Sequence, residues 1–393
     1  MLGTLKNPAL TKIYVVPLIS MVTSSMVGAI AILYALDLGA DILQVNLIST
    51  VESTMSILLL VPFGMLADRF GRKPMLLYPR IAMSLGIIAR AFATEPNHLL
   101  LAALVGGFAG ADFFPVLVTM VTDVAKPGEQ REAISTLYLF SGIGMLLGPL
   151  IGSLLLTMPQ VTLRNLYQIH LIAEVGGITY MAYMVRETRP ETEKDVKIDY
   201  RSHVTSLLAS NSFRGILAMG FLFYFTFAIL NTYIPIYGRV NLGLSDAEIS
   251  SFSFYQNVAI TLIRFSFATF LRSASTRLFL ILTLTSGGIS SLVAPLASNY
   301  LSVVLIRLAS GMAHGSVAIL GASLVAAESE ASNRGAAQSL YNMSHGIGNI
   351  TKVVTSSIAE TLGLAPVFIL GGLTALSSTI PIILRRPPQR AAD

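Results

Sequence analysis

The sequence contains no cysteine, so disulfide bonds, thiolate metal sites and cysteine nucleophiles are excluded. Charge is also scarce. Asp, Glu, Lys and Arg make up 12% of the 393 residues, whereas a typical soluble domain carries about 25%. Hydrophobic residues make up 53% of the chain, and the mean hydropathy is +0.70. Because the apolar runs are continuous rather than alternating, the composition predicts an integral membrane protein built from helices.

Sequence motifs of common enzyme classes are absent as well. The chain has no Walker-type phosphate loop, no nucleophile elbow and no His or Glu cluster with metal-ligand spacing. We therefore expect no enzymatic activity, no cofactor and no metal site. The net charge of +5 comes from basic residues between the apolar runs. Membrane topology and anionic lipids account for such residues, so the charge does not indicate a nucleic-acid partner.

Twelve apolar runs are long enough to cross a bilayer, which takes roughly 20 residues per helix. They cover residues 11–36, 42–66, 74–93, 97–121, 131–156, 163–185, 213–239, 246–272, 277–298, 299–325, 331–358 and 361–384. The sequence thus predicts an all-α polytopic membrane protein with twelve transmembrane helices. We expect a six-helix bundle over residues 1–185, a charged cytoplasmic linker over 186–212 that can include an amphipathic turn on the membrane, and a second six-helix bundle over 213–393.

Basic residues fall mainly on one side of this topology, the side that contains both termini, the linker and the loop at 67–73. Because cytoplasmic loops are enriched in Lys and Arg, we expect both termini in the cytoplasm. The protein is expected in the plasma membrane, surrounded by the lipid bilayer, as a monomer. Residues 1–12 are too short for a cleavable signal, so none is expected.

Two segments of the chain repeat one another. Residues 130–138 parallel residues 333–341, and the Gly-Ile-Gly at 142–144 parallels the Gly-Ile-Gly at 346–348. Each copy begins the fifth helix of its half, so we expect the two halves to be pseudo-symmetric. Two repeat-related halves are typical of secondary transporters, whose substrate site lies near the middle of the membrane between them.

The densest charge cluster in the first 120 residues is the segment 64–73, Gly-Met-Leu-Ala-Asp-Arg-Phe-Gly-Arg-Lys, which we call the hinge. It is similar, almost position for position, to the G-x-L-A-D-R-x-G-R-K signature between the second and third helices of the major facilitator superfamily. Charged residues also flank the inner ends of the fourth and tenth helices. They are interpreted either as a cytoplasmic latch together with the hinge or as plain surface pairs. The latch candidates are Gly64, Asp68, Arg69, Gly71, Arg72, Lys73, Asp123, Arg131, Glu328 and Arg334.

The fifth helix contains a regular pattern of small residues over residues 144–152. Such spacing is common where membrane helices pack closely. The segment also resembles the G-x-x-x-G-P-x-x-G motif that is typical of drug and metabolite antiporters in the same superfamily. The predicted helix-packing residues are Gly144, Gly148, Pro149 and Gly152.

Ionisable residues inside membrane spans are costly and are therefore functional candidates. Asp112, Glu52 and His314 lie on helices that line the cavity in the resembled fold, and they are the predicted proton-coupling residues. Asp112 ranks first, because it lies on such a helix with no cation one turn away along the same helix, and Glu52 ranks second. A partly desolvated carboxylate can bind and release a proton as its surroundings change. The R-x-x-x-G motif usual in the fourth helix of proton-coupled members is absent here. The tenth helix does contain it, at residues 307–311.

Other charged residues inside the spans are interpreted as structural. His170 and Glu174 lie one helical turn apart and are expected to pair with each other. Arg80 and Arg90 lie near the two ends of the third helix, where we expect them to extend toward the membrane surfaces.

The seventh and eighth helices are rich in aromatic residues and also carry amides, which a lipid-facing surface would not tolerate cheaply. Aromatic walls with a few amides suit a bulky, partly apolar ligand. The substrate-cavity candidates are Arg307, Tyr224, Asn231, Tyr255, Gln256, Asn257 and His345.

The resemblance and these patterns together predict a secondary active transporter that moves a small amphipathic or hydrophobic organic compound by alternating access. Proton-coupled efflux is the leading mode. An uptake symporter or uniporter for a small organic solute is the alternative. A polytopic membrane enzyme or sensor is disfavoured, because it would need a catalytic constellation that the sequence does not offer.

Overall fold

The computed structural model describes residues 2–110, 113–126, 128–188, 200–269, 275–330 and 333–384. All regular elements within these ranges are helices. The helices up to residue 188 are α1 (Leu2–Leu5), α2 (Pro8–Asp37), α3 (Ile42–Phe70), α4 (Arg72–Ala91), α5 (Pro96–Gly110), α6 (Phe113–Val124), α7 (Gln130–Leu155) and α8 (Leu163–Met184).

The helices after residue 199 continue this series, with two short 3₁₀ segments among them. They are α9 (Tyr200–Ala209), α10 (Asn211–Val240), α11 (Asp246–Thr269), α12 (Thr276–Leu292), α13 (Tyr300–Glu328), α14 (Arg334–Thr351), α15 (Ser356–Leu362), α16 (Leu364–Ser377) and α17 (Thr379–Leu384). The 3₁₀ segments are Ala294–Leu296 and Lys352–Thr355.

Each predicted span coincides with one helix or with consecutive helices, and the all-α architecture is confirmed. The predicted span 331–358 is an interrupted helix, in which the 3₁₀ segment Lys352–Thr355 separates α14 from α15. Thr, Val and Ser dominate residues 351–357. These residues favour an α-helix less than Leu or Ala does, which suits an interruption at this point.

Polar side chains at the helix starts explain where several helices begin. Asn7 accepts a hydrogen bond from the backbone N–H of Ala9 (3.0 Å), at the start of α2. Thr162 and Asn165 form a capping box at α8, and Asn299 and Ser302 form one at α13. These caps satisfy backbone donors that the first helical turn leaves without a partner.

Six described helical segments are long and apolar enough to cross a membrane. They are Pro8–Asp37, Ile42–Leu59, Glu132–Leu155, Asn211–Val240, Tyr300–Glu328 and Leu364–Leu384. Because a helix satisfies its own backbone hydrogen bonds, such segments can lie in hydrocarbon without exposing unpaired polar groups.

The chain divides into two compact units. Unit 1 comprises residues 1–195 and 238–254, and unit 2 comprises residues 196–237 and 255–393. The core of unit 1 contains buried side chains of α2, α4, α6, α7 and α8, among them Leu10, Tyr14, Leu76, Leu117 and Leu137. The core of unit 2 contains side chains of α10, α12, α13 and α14, among them Phe213, Met219, Leu280, Val317 and Tyr341.

Candidate functional site

The hinge between α3 and α4 is organised around a carboxylate. Gly71 has φ = 100°, which disfavours every residue except glycine. The backbone N–H groups of Arg72 and Lys73 each donate to a carboxylate oxygen of Glu187, at 3.0 Å. A β-carbon at position 71 would lie 2.6 Å from Oε2 of Glu187. Glycine at position 71 therefore allows the turn and leaves room for an acid at the positive end of α4.

Two further contacts connect the hinge to other helices of unit 1. The guanidinium of Arg72 lies 3.7 Å from the carboxylate of Asp123 at the end of α6. Asp123 also accepts from Thr188 Oγ1 (3.1 Å). Lys73 Nζ donates to the carbonyl of Ala182 in α8 (2.7 Å). Of the predicted latch residues, Arg72 is thus joined to Asp123 at the end of α6, and Lys73 is joined to the end of α8.

The remaining latch candidates stay predictions. The side chains of Asp68, Arg69, Arg131 and Arg334, and the surroundings of Gly64, lie outside the described part of the structure. Glu328, at the end of α13, accepts a hydrogen bond from Ser212 Oγ (2.8 Å). Sequence reasoning treated Glu187 only as a linker charge. Glu187 is the first acidic residue after α8, and the positive end of a helix, here the N-terminus of α4, attracts a carboxylate. This was the signal that the sequence offered.

The small residues of α7 pack directly on α2. A β-carbon at Gly144 would lie 2.8 Å from the carbonyl oxygen of Leu18. A β-carbon at Gly148 would overlap Ser25 Oγ and the carbonyl oxygen of Val22. Only glycine therefore permits this separation between the two backbones. At the far end of α7, a β-carbon at Gly152 would lie 3.0 Å from Met26 Cγ.

A polar centre in unit 1 joins α3 to α4. Arg90 Nη2 lies 2.7 Å from Oε2 of Glu52, and their side chains are 15% and 37% exposed. A β-carbon at Gly106 of α5 would lie 3.6 Å from both of these side chains. Glu52, a predicted coupling residue, is thus held in an ion pair that remains accessible. Asp112, the other predicted carboxylate, lies outside the described residues.

A second polar centre in unit 1 is fully buried. Arg80 forms an ion pair with Glu174 of α8 and also donates to Ser20 Oγ (3.0 Å). The predicted pairing of His170 with Glu174 is therefore wrong, and no described residue forms a hydrogen bond with Nδ1 of His170. The expectation that Arg80 and Arg90 extend toward the membrane surfaces is also wrong. Both arginines end in ion pairs because carboxylates on other helices approach them.

Unit 2 contains a buried arginine with a neutral partner. Arg307 of α13 is 3% exposed. Its Nη2 donates to Oε1 of Gln256 on α11, at 2.6 Å. Within the residues that the structure describes, its Nε and Nη1 have no hydrogen-bond partner, and neither does Nε2 of Gln256. The structure thus brings two of the predicted cavity residues into direct contact.

An aromatic–imidazole cluster connects α10, α13 and α14. The ring of Tyr224 stacks on His345 with centroids 3.7 Å apart, and Phe227 stacks on His314 at 4.1 Å. Tyr224 also meets His314 edge-on at 5.4 Å, and Tyr341 meets His345 at 4.1 Å. Nδ1 of His314 and Nε2 of His345 are buried and have no hydrogen-bond partner among the described residues. Three predicted residues, Tyr224, His314 and His345, are therefore neighbours.

Three other cavity candidates lie outside this cluster. Tyr255 contacts Tyr300 edge-on, with ring centroids 6.4 Å apart. The backbone carbonyl of Asn257 accepts from Thr261 Oγ1 at 2.8 Å. Asn231 is partly buried on α10. The grouping of these three residues in a cavity stays a prediction.

Lys352 is a buried cation that the predicted site did not include. It begins the 3₁₀ segment after α14, is 5% exposed, and donates from Nζ to Thr232 Oγ1 at 2.9 Å. The hydroxyl groups of Tyr233, which follows Thr232, and of Thr355, which ends the 3₁₀ segment, form a hydrogen bond of 2.7 Å. A lysine within an apolar run was the visible signal, but its neutral partner is 120 residues away in the sequence.

Comparison with curated proteins finds similarity over parts of the chain. Multidrug resistance protein MdtH of Proteus mirabilis is 30% identical over 145 residues, which are 34% of this chain and 34% of that protein. MdtH of Photorhabdus laumondii is 38% identical over 93 residues, which are 24% of this chain and 23% of that protein. The chain thus matches no more than about a third of the length of these two relatives.

Solved structures match nearly the whole chain in fold. A mutant of the nucleoside transporter NupG has a TM-score of 0.84 at 12% identity, covering 96% of this chain and 99% of that one. A POT family transporter in complex with 5-aminolevulinic acid has a TM-score of 0.78 at 14% identity, covering 95% of both chains. At these identities the likeness concerns the fold alone.

Sequence-family comparison covers both units. The sequence model of the Major Facilitator Superfamily matches residues 13–275 and 271–393. This match agrees with the hinge, the glycine-packed α7 and the helices of membrane-spanning length. The chain is therefore an integral membrane protein that belongs to the Major Facilitator Superfamily.

Proposed function

We propose that this protein is a secondary active transporter that exports a small amphipathic or hydrophobic organic compound by alternating access, driven by protons. We place it in the plasma membrane with both termini in the cytoplasm, in line with the distribution of Lys and Arg. Family membership supports transport, and the name of the MdtH relatives, multidrug resistance protein, supports efflux.

The observation that carries the proposal is the aromatic–imidazole cluster of unit 2. Its stacked rings offer apolar surface, while buried nitrogens of His314 and His345 have no hydrogen-bond partner in the part of the chain that the structure describes. An apolar pocket with a few convergent polar groups is the usual form of a small-molecule site. Imidazole is also the side chain whose ordinary titration range lies nearest to physiological pH. One cluster could therefore contact the compound and exchange a proton.

Carboxylates are the other candidates for proton coupling. Glu52 is partly exposed and bonded to Arg90, so protonation of Glu52 would release that arginine. Asp112 remains the first choice from sequence, with His314 as the imidazole alternative. Gly64, Asp68, Arg69, Gly71, Arg72 and Lys73, with Asp123, Arg131, Glu328 and Arg334, remain the proposed conformational latch.

The test uses purified protein in proteoliposomes that contain a pH-sensitive dye. A thermal-shift screen of organic compounds first identifies a ligand, and its counterflow is then measured with and without a pH gradient. We expect an acid-inside gradient to drive accumulation of the ligand in everted proteoliposomes, accompanied by proton release. Equal rates with and without the gradient would contradict proton coupling.

An uptake symporter or uniporter is the second candidate. The similar folds include proteins named as a nucleoside transporter and a POT family transporter in complex with 5-aminolevulinic acid. Gradient-independent counterflow of a small polar solute would favour a uniporter over efflux. An acid-inside gradient that drives such a solute out of the everted proteoliposomes would favour a symporter.

A further inference from the structure

The contact between Arg307 and Gln256 presents hydrogen-bond donors and no acceptor. A guanidinium can only donate, so Gln256 must turn its oxygen toward Arg307 and its NH₂ group away. The donors left over are Nε and Nη1 of Arg307 and Nε2 of Gln256, all buried and without a partner in the described part of the chain. This arrangement suits a group that only accepts hydrogen bonds, and among such groups an oxyanion forms the strongest bonds with a guanidinium.

Charge points to the same kind of group. Arg307 lies inside an apolar helix, is 3% exposed and stays protonated at physiological pH. Intramembrane arginines are usually paired with an acid or with a substrate. Among the described residues, Arg307 bonds only to the neutral Gln256. Glu328, at the other end of α13, is 21 residues away, or about 30 Å along the helix at 1.5 Å per residue.

The donors are held in place by close packing of the two helices. One turn after Arg307, a β-carbon at Gly311 would lie 2.5 Å from the carbonyl oxygen of Gln256 and 3.0 Å from Ala259 Cβ. The backbones of α11 and α13 therefore touch beside the arginine. Ser310 Oγ, also buried, donates to the carbonyl of Arg307 at 3.1 Å. An arginine fixed in this way loses little further freedom when it binds an anion.

We propose that Arg307 and Gln256 form the binding site for the anionic group (a carboxylate, sulfonate or phosphate) of the transported compound. The substrate class would then be amphipathic organic anions or zwitterions, with the charged group at Arg307. This assignment deepens the proposed transport function and rests on it. An inorganic anion offers the same chemistry, so the experiment separates the two sources.

The binding experiment compares three probes that share a ring system. Purified full-length protein in detergent is titrated with 2-naphthoate, 2-naphthalenemethanol and 2-naphthylmethylammonium, and binding is measured by equilibrium dialysis. We expect naphthoate to bind at least about tenfold more tightly than the alcohol, as one charge-assisted hydrogen bond implies. Arg307→Met should abolish this preference, Arg307→Lys should retain part of it, and Gln256→Leu should weaken it.

Lys352→Met is the matched control for the loss of a buried cation. Lys352 lies in the same unit, is similarly buried and also bonds to a neutral oxygen. This variant should retain the preference for naphthoate. Loss of the preference in both variants would overturn the assignment to Arg307, because a general effect of positive charge would then explain it.

Thermal stability gives a readout that needs no ligand. Replacing a buried charge that lacks an ionic partner by an apolar residue removes a desolvation cost, so Arg307→Met should unfold at a higher temperature than the wild type. Arg80→Met, which breaks an ion pair, should unfold at a lower temperature. A lower unfolding temperature for Arg307→Met would show that the arginine is structural and would overturn the proposal.

The remaining outcomes are equally decisive. Equal binding of naphthoate and the alcohol, or binding of none of the three probes, counts against the site. Stabilisation by phosphate or chloride that depends on Arg307, without competition by naphthoate, would assign the site to an inorganic ion and overturn the substrate assignment. Naphthoate binding without transport would retain the anion site and reject the transport function. Transport that is unaffected in Arg307→Met would retain the transport function and reject the anion site.

Discussion

The two units treat buried positive charge differently. In unit 1, Arg80 and Arg90 each lie against a carboxylate from another helix, Glu174 and Glu52. In unit 2, Arg307 and Lys352 are at least as well buried but bond to neutral oxygens of Gln256 and Thr232. A buried ion pair fixes two helices relative to each other, whereas a buried cation with a neutral partner can still bind an anion. The comparison therefore assigns a structural role to the buried Arg80–Glu174 pair, and ligand binding to Arg307, whose Nε and Nη1 have no hydrogen-bond partner among the described residues.

The largest effect is expected from breaking the buried pair of unit 1. Glu174→Ala removes the carboxylate that Arg80 bonds, and the loss of one partner of a buried pair costs about 3–5 kcal/mol. We expect this variant to be poorly folded, as measured by yield and by the unfolding temperature of the purified protein. The exposed pair of Glu95 and His98 (3.6 Å) provides the control. Unchanged stability of Glu174→Ala, matching that of Glu95→Ala, would remove the distinction between the units.

Close packing in unit 1 gives the next largest effect. Gly148→Leu inserts a side chain where α7 touches α2, and overpacking costs typically about 1–3 kcal/mol. We expect lower stability or loss of transport. Gly142→Leu is the matched control on the same helix, because no atom lies within 4 Å of the β-carbon position there. Equal behaviour of the two leucine variants would show that the α7–α2 contact is not needed.

A change of opposite sign is expected in unit 2. Lys352→Met removes a buried ammonium whose described partner is neutral, and it should be neutral or stabilising by about 1 kcal/mol. The measurement is the unfolding temperature, compared directly with that of Arg80→Met. A strong loss of stability in Lys352→Met would show that the ammonium of Lys352 stabilises the fold. The buried cations of the two units would then not differ in their role.

The smallest effect on stability is expected at the partly exposed pair of unit 1. Glu52 is 37% exposed, so Glu52→Gln should cost only about 0.2–1 kcal/mol, as for accessible ion pairs. If Glu52 carries the proton, the variant loses pH-driven accumulation but retains downhill exchange. Asp112→Asn is assayed in parallel. Normal pH-driven accumulation in the double variant would exclude both carboxylates and direct attention to His314.

Patterns in the amino-acid sequence predicted the helices well, because the hydropathy of each span is a property of its own residues. Hydropathy located all twelve runs, and α9 lies inside the stretch predicted as a linker. The interruption of the eleventh span was missed, since a run of apolar, Thr and Ser residues remains compatible with a continuous helix. The amino acids there only weakly disfavour an α-helix, and packing decides whether the helix is continuous.

The polar contacts were predicted less well because their partners come from distant parts of the chain. Spacing along one helix suggested a pair of His170 and Glu174, but Arg80 of α4 bonds the glutamate instead. Likewise, Glu187 lies 115 residues from the N–H of Arg72 that it accepts from. The periodicity of a single helix gives no information on which neighbour approaches its polar face. By contrast, Arg307 contacts Gln256 and Tyr224 contacts His345, and all four were named from the sequence because polar groups in apolar runs are conspicuous by themselves. Their role in a substrate site stays a prediction.

The division of the chain into units has a consequence for the order of folding. Residues 238–254, the end of α10 and the start of α11, belong to unit 1. Within unit 1, Arg239 bonds Asp37 (2.6 Å) and Asp246 (2.7 Å), and Ser153 Oγ donates to the carbonyl of Ala247 (2.8 Å). Unit 1 therefore cannot be completed when residue 195 has been synthesised. About sixty more residues must follow, which takes roughly 3–12 s at typical elongation rates. During that interval Asp37 and the end of α7 lack the residues that they contact in the folded protein. Unit 1 therefore begins to fold first but is completed only after synthesis of unit 2 has begun.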